Sequence, residues 1–161
     1  FQGYLSQAAV DGKSQIIIAA GVSPTNTDQP FLTEALEKIK AFFARFPKLV
    51  LADSGYCSID NIKLMLAKEV DFLSPPSAVR EGASRKSDFL AEMEKRLLEP
   101  AGKKDYARRS GIVEPIFGDM KTNQGFTRYF VRGLAKVTGD WFQRATVHNL
   151  MKLFRLNPAF V

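Results

Sequence analysis

Lys48-Leu49-Val50-Leu51-Ala52-Asp53-Ser54-Gly55-Tyr56 is the stretch on which the fold turns. A short apolar run without alternation predicts a strand buried on both faces. The run finishes in an acid, and Ser54-Gly55-Tyr56 reads as a turn. Pro47 ends what precedes it. Leu32, Leu36, Ile39, Phe43 and Phe46 recur at helical spacing. Pro30 suits the first turn of that helix, and Thr25-Asn26-Thr27-Asp28 is a turn and cap cluster ahead of it. On the other side, Ser58 can cap a helix reaching about Lys68, with Ile59, Ile62 and Leu66 inward. Val70 to Leu73 predicts another strand. Strands alternating with helices indicate an α/β sheet covered on its faces. In such sheets chemistry gathers at the carboxyl ends of strands, and Asp53 stands at one.

The outer segments extend this pattern. Tyr4–Val10 and Gln15–Val22 read as two antiparallel strands joined at Asp11-Gly12, because Gly accepts a positive φ in a hairpin turn. Pro75 to Ser87 reads as a loop, and Phe89 to Leu98 as a helix that Pro100-Ala101-Gly102 breaks. A further helix is expected from near Ser110 to Gly125, carrying Glu114. Leu134 to Phe154 predicts a long last helix closed by Asn157-Pro158. The length, 161 residues, suits a single domain over 1–161.

Composition narrows the chemistry. Apolar residues are 45% and charged residues 25% of the chain, the profile of a globular protein. No apolar run approaches the ~18 residues of a membrane span. Cys57 is the sole cysteine, so an internal disulfide and a cysteine-built zinc site are excluded. A reduced, cytoplasmic setting is expected. His148 is the sole histidine, with nothing near it in sequence to build a Ser-His-Asp triad. Net charge is +6 and unevenly spread. Between Lys103 and Lys136 lie eight basic residues against three acidic ones. Such a stretch points to a polyanion, nucleic acid first. Charge alone supports a solvated basic face equally well.

Two acids are placed to do chemistry. Asp53 at a strand tip is well held, though capping the following turn would explain it too. Glu114, Gly118 and Lys121 share one helix face, and Val113, Phe117 and Met120 share another. The apolar face can dock on the sheet while the other offers a carboxylate and a cation side by side. A first-turn Glu that complements the helix dipole is the plain alternative.

The residues also carry a resemblance. The blocks are Gly3-Tyr4-x-x-Gln7-Ala8-Ala9-Val10-Asp11; Ala52-Asp53-x-Gly55-Tyr56-x-Ser58; Tyr106-x-x-Arg109-x-x-x-Val113-Glu114-Pro115-x-Phe117-Gly118-x-x-Lys121; Gly125-Phe126-x-Arg128; Arg132-Gly133-Leu134; and His148-Asn149-Leu150. In this order and spacing they resemble the DDE transposases of bacterial insertion sequences. The resemblance implies a ribonuclease-H-like mixed sheet flanked by helices. It implies three acids holding two Mg2+ (or Mn2+) ions for in-line attack of water or a DNA 3′-hydroxyl on a phosphodiester. It carries over Asp53 and Glu114 as two catalytic metal ligands. It makes Tyr106, Arg109 and Lys121 phosphate-binding companions, with Arg128 and Arg132 as further DNA contacts. Four residues separate Arg109 from Glu114 where the better-known signature has three, so Arg108 rivals Arg109. The implied partners are double-stranded DNA, transposon ends and target, and a second copy in a homodimer on that DNA; no membrane is involved.

The first family acid belongs on a strand ahead of the Gly-Tyr-x-x-Gln strand. The expectation is that this strand and its Asp lie upstream of Phe1, and that the chain alone is then inactive. Asp11 is the rival, though its Asp-Gly turn explains it. Asp28, Asp60 and Asp119 read as caps or surface acids. Trp141, His148, Tyr56 and Cys57 read as structural. Two other functions compete: a catalytically dead DNA-binding remnant, and a different ribonuclease-H-like nuclease acting on RNA or hybrids.

Overall fold

A computed structural model describes residues 3–24, 29–77 and 87–157 of the chain. The cap cluster at Thr25–Asp28 and most of the loop expected after Pro75 lie outside the described residues. The chain forms two compact units, the first joining the N-terminal segment to everything from Ser110 onward, the second running up to Arg109. Among the described residues there are five α-helices and two small sheets, so the α/β class holds. The strands pair as two separate two-stranded sheets, where a single mixed sheet is expected from the sequence. No helix among the described residues is long and apolar enough to cross a membrane.

In the first unit, β1 (Leu5–Val10) and β2 (Ile17–Ser23) form the expected antiparallel hairpin. Its turn corrects the sequence reading. The positive φ falls on Gln15 at 59°, not on Gly12. The Asp11 carboxylate organises the loop by accepting from the backbone N–H groups of Lys13 and Ser14 and from the Ser14 hydroxyl. These bonds hold the Asp11 carboxyl below the usual carboxylate range, the Ser14 hydroxyl contributing most. The connection is longer than a two-residue turn, because the ladder closes with Asp11 N–H donating to the Ile16 carbonyl.

One cluster fills this unit: Ile17, Ala20, Ile116, Met120, Trp141 and Ala145 are buried together. It draws on β2, on α4 (Pro100–Thr122) and on α5 (Leu134–Leu156). Trp141 is fully buried, its Nε1 donating to the Gln7 carbonyl at 3.0 Å. Phe117 stacks on its ring at 6.0 Å. The structural reading of Trp141 is therefore right. His148 is likewise a packing residue, 3% exposed, with Nε2 3.0 Å from the Gln15 carbonyl.

The second unit holds α1 (Gln29–Phe43), β3 (Leu49–Leu51), α2 (Ile59–Ala67), β4 (Asp71–Leu73) and α3 (Asp88–Leu98). Strands β3 and β4 run parallel. Leu32, Leu36, Ile62, Met65, Phe72, Leu73 and Met93 form its core. Three expectations are corrected here. Strand β3 is half-buried throughout, not buried on both faces. Phe43 is 55% exposed because α1 ends there, Ala44 taking a left-handed φ of 56°. Phe46 instead packs from the following loop, under the Lys40 and Lys68 ammonium groups. Ile59 and Leu66 are exposed, and Met65 takes the inward place beside Ile62. The Ser58 cap is as expected, its hydroxyl accepting from Asn61 N–H at 3.1 Å.

The break at Pro100 is real, but a helix restarts at once. Pro100 opens α4, where its missing N–H costs nothing, and the helix runs on through residues 100–110 to Thr122. Gly102 lets the new helix start this close to the old one. A Cβ there would lie 1.9 Å from the Arg96 carbonyl oxygen, so α4 can leave α3 only at a residue without a side chain. Gly102→Ala is expected to destabilise the chain by about 3 kcal/mol, the upper part of the overpacking range. Urea unfolding checks it; an unchanged midpoint would remove the steric argument.

Candidate active site

Asp53 follows β3 by two residues, after the buried Ala52. Ala52 N–H donates to the Leu73 carbonyl at 3.0 Å, so the β3–β4 ladder extends right up to it. The Asp53 carbonyl is gripped from below by the hydroxyl of Ser74, which is fully buried. The two carboxylate oxygens then have different duties. Oδ1 accepts from Gly55 N–H at 3.2 Å and caps the single 3-10 turn Ser54–Tyr56. The capping reading is therefore correct, but it uses only one oxygen. Oδ2 faces the Arg109 guanidinium at 3.2 Å.

Arg109 and Tyr106 share a face of α4 at i and i+3. Tyr106 packs against the core of the second unit. Burial pushes its hydroxyl pKa up, with the Arg109 charge opposing and the Asp53 charge adding. Arg108 points elsewhere: it pairs with Asp105 at 3.7 Å, one turn back and well exposed. Of the two rival arginines, Arg109 is the one the fold brings to Asp53. The Asp53 side chain is 46% exposed and Arg109 23%, so the pair is open to a ligand from one side.

The remaining expected site residues belong to the first unit. Glu114, Gly118 and Lys121 are exposed on α4, while Ile116 and Met120 are buried. The division of faces is close to that expected, with Ile116 replacing the half-buried Val113 as the deeper contact. Arg128 and Arg132 are exposed in the segment between α4 and α5. Arg128 lies over the Phe130 ring at 5.1 Å. Two bends in this segment take a positive φ, at Gly125 (64°) and Gly133 (90°), which explains glycine at both positions. The basic residues from Lys103 to Lys136 are exposed except for half-buried Arg109.

The family model for the transposase DDE domain matches residues 1–150. The chain belongs to the DDE transposase family. No curated protein and no solved structure matches it. Members of the family are enzymes of DNA transposition, of the nuclease or transferase type.

Within this transposase domain, the donor chemistry at Asp53 suits a hard divalent ion: a carboxylate on a strand tip, partly exposed. Among the described residues no three His, Cys, Asp or Glu side chains converge on one point. Sequence reasoning misses Ser74, which anchors the Asp53 backbone, since a lone buried serine after a strand carries no signal. It also misses Gln15, whose side chain reaches the α4 backbone beside Glu114.

Proposed function

We propose that this domain catalyses Mg2+- or Mn2+-dependent cleavage and transfer of DNA strands during transposition, with Asp53 and Glu114 as metal ligands. The observation that carries the reading is the Asp53–Arg109–Tyr106 cluster at the end of β3. It joins an acid, a fixed cation and the phenol of Tyr106, within a family that acts on DNA. A bound divalent ion supplies a lower pKa for the attacking oxygen and charge stabilisation for the leaving one.

The chain's own residues do the rest. Asp53 presents Oδ2 outward because Oδ1 is tied to Gly55. Arg109 steadies that oxygen and has further N–H donors for a phosphate oxygen. Tyr106 offers an O–H to the same kind of group. Arg108, Lys121, Arg128 and Arg132 draw in the duplex through its phosphates, which carry affinity rather than sequence information. In this reading the chain is a ribonuclease-H-like catalytic domain acting as a homodimer on DNA.

A DNA-binding remnant without chemistry is the second reading, since both Asp53 carboxylate oxygens are already engaged, Oδ1 by Gly55 N–H and Oδ2 by Arg109. One assay separates these. The protein is given duplex DNA or an RNA–DNA hybrid, with Mg2+ or with chelator. Cleavage of DNA that stops on chelation is expected. Binding without cleavage would leave the remnant, and preference for the hybrid would indicate another nuclease.

A further inference from the structure

An α-helix bonds each carbonyl to the N–H four residues on. In α4 the residue four after Gly111 is Pro115, which lies inside the helix and has no N–H to give. The Gly111 carbonyl therefore loses its ordinary helical donor, one turn ahead of Pro115 and three residues ahead of Glu114. A donor arrives from the β1–β2 loop instead. The Gln15 side-chain Nε2 donates to the Gly111 oxygen at 2.9 Å.

Gln15 is itself held at several points. Its φ is fixed in the left-handed region at 59°. Its carbonyl lies 3.0 Å from His148 Nε2, and its Oε1 accepts from Lys152 Nζ at 2.6 Å. Two residues on, Asn149 grips Ile17 by both its N–H and its carbonyl, at 2.8 Å each. Helix α5 thus fixes the loop, and the loop fixes α4 at the turn that carries Glu114. All these groups belong to the first unit.

We propose that Gln15 is a positioning residue for Glu114, its amide replacing the helical hydrogen bond that Pro115 removes. The proposal rests on Glu114 being catalytic. The same chain of bonds gives the His148-Asn149 pair a role, since both side chains anchor the loop that presents Gln15.

The test is a cycle of two substitutions. Gln15→Met keeps an unbranched side chain, so the φ at this position is no more strained, and removes only the amide. Pro115→Ala returns an N–H to residue 115, which can then serve Gly111 itself. Hydrogen exchange is read over residues 111–118, and kcat and KM for DNA cleavage are read on the same protein. Gln15→Met should speed exchange there and lower kcat, each by about 10-fold, with KM for DNA unchanged. In the Pro115→Ala background the same change should move either reading by less than about 2-fold. Equal effects in both backgrounds, or none in the native one, would overturn the proposal. Glu114→Gln is assayed alongside. If it keeps full cleavage, the assignment of Glu114 fails and the catalytic part of the proposal with it. The exchange cycle then still decides, by itself, whether Gln15 substitutes for the missing bond.

Discussion

Asp53→Asn is expected to lower metal-dependent DNA cleavage by about 10³-fold or more while leaving the fold intact. Asparagine keeps an Oδ1 that can accept from Gly55 N–H, so the cap on the 3-10 turn survives. What it removes is the charge on the second oxygen, the one that faces Arg109 at 3.2 Å. That ion pair is partly exposed, so its loss should cost the fold no more than about 1 kcal/mol. A neutral amide is a poor ligand for a hard divalent ion. Stability and activity should therefore separate cleanly. Asp53→Ala, which also removes the cap, should lose further stability but no further activity. Cleavage by Asp53→Asn within a few-fold of the native rate would remove Asp53 from the catalytic set and leave it as a turn cap.

The second large effect concerns the core. Trp141→Ala should destabilise the chain by about 3–5 kcal/mol, the range for emptying a fully buried large aromatic site. Trp141 is unexposed and touches Phe117 and Phe126, which cannot collapse into its volume without leaving their own contacts. The change also strips the Gln7 carbonyl of the indole N–H. Trp141→Phe retains much of the ring but not the donor, and should cost about 1–3 kcal/mol. Urea unfolding of both variants measures the two contributions. An alanine variant within about 1 kcal/mol of the native chain would contradict the packing described.

How far the sequence reveals this molecule depends on whether a signal is local. The hairpin strands, the Ser58 cap, the strand before Asp53 and the last helix rest on short-range patterns, and these appear where expected. Residues 100–110 escape the sequence reading because Pro-Ala-Gly breaks one helix and begins the next with the same three residues; only the position of the Arg96 carbonyl shows why glycine is there. The Asp-Gly pair advertises a tight turn, yet the side-chain bonds of Asp11 to Ser14 draw the loop into a longer form with its strain at Gln15. The proposed roles of Asp53 and Glu114 rest on the family blocks rather than on their own chemistry. The contact of Gln15 with Gly111 is not legible at all. It joins positions far apart in the chain, and its cause is an atom that Pro115 lacks.

The chain's one tryptophan and one cysteine fall in different units: Trp141 at the centre of the first, Cys57 in the second. Each half therefore carries its own reporter. Indole fluorescence follows the loosening of one half. Alkylation of the Cys57 thiol, whose pKa burial raises and whose reaction is slowed while it stays packed, follows the other. Midpoints that coincide would mean that the two halves melt as one cooperative body, and midpoints that differ would mean that either can open while its neighbour stays intact.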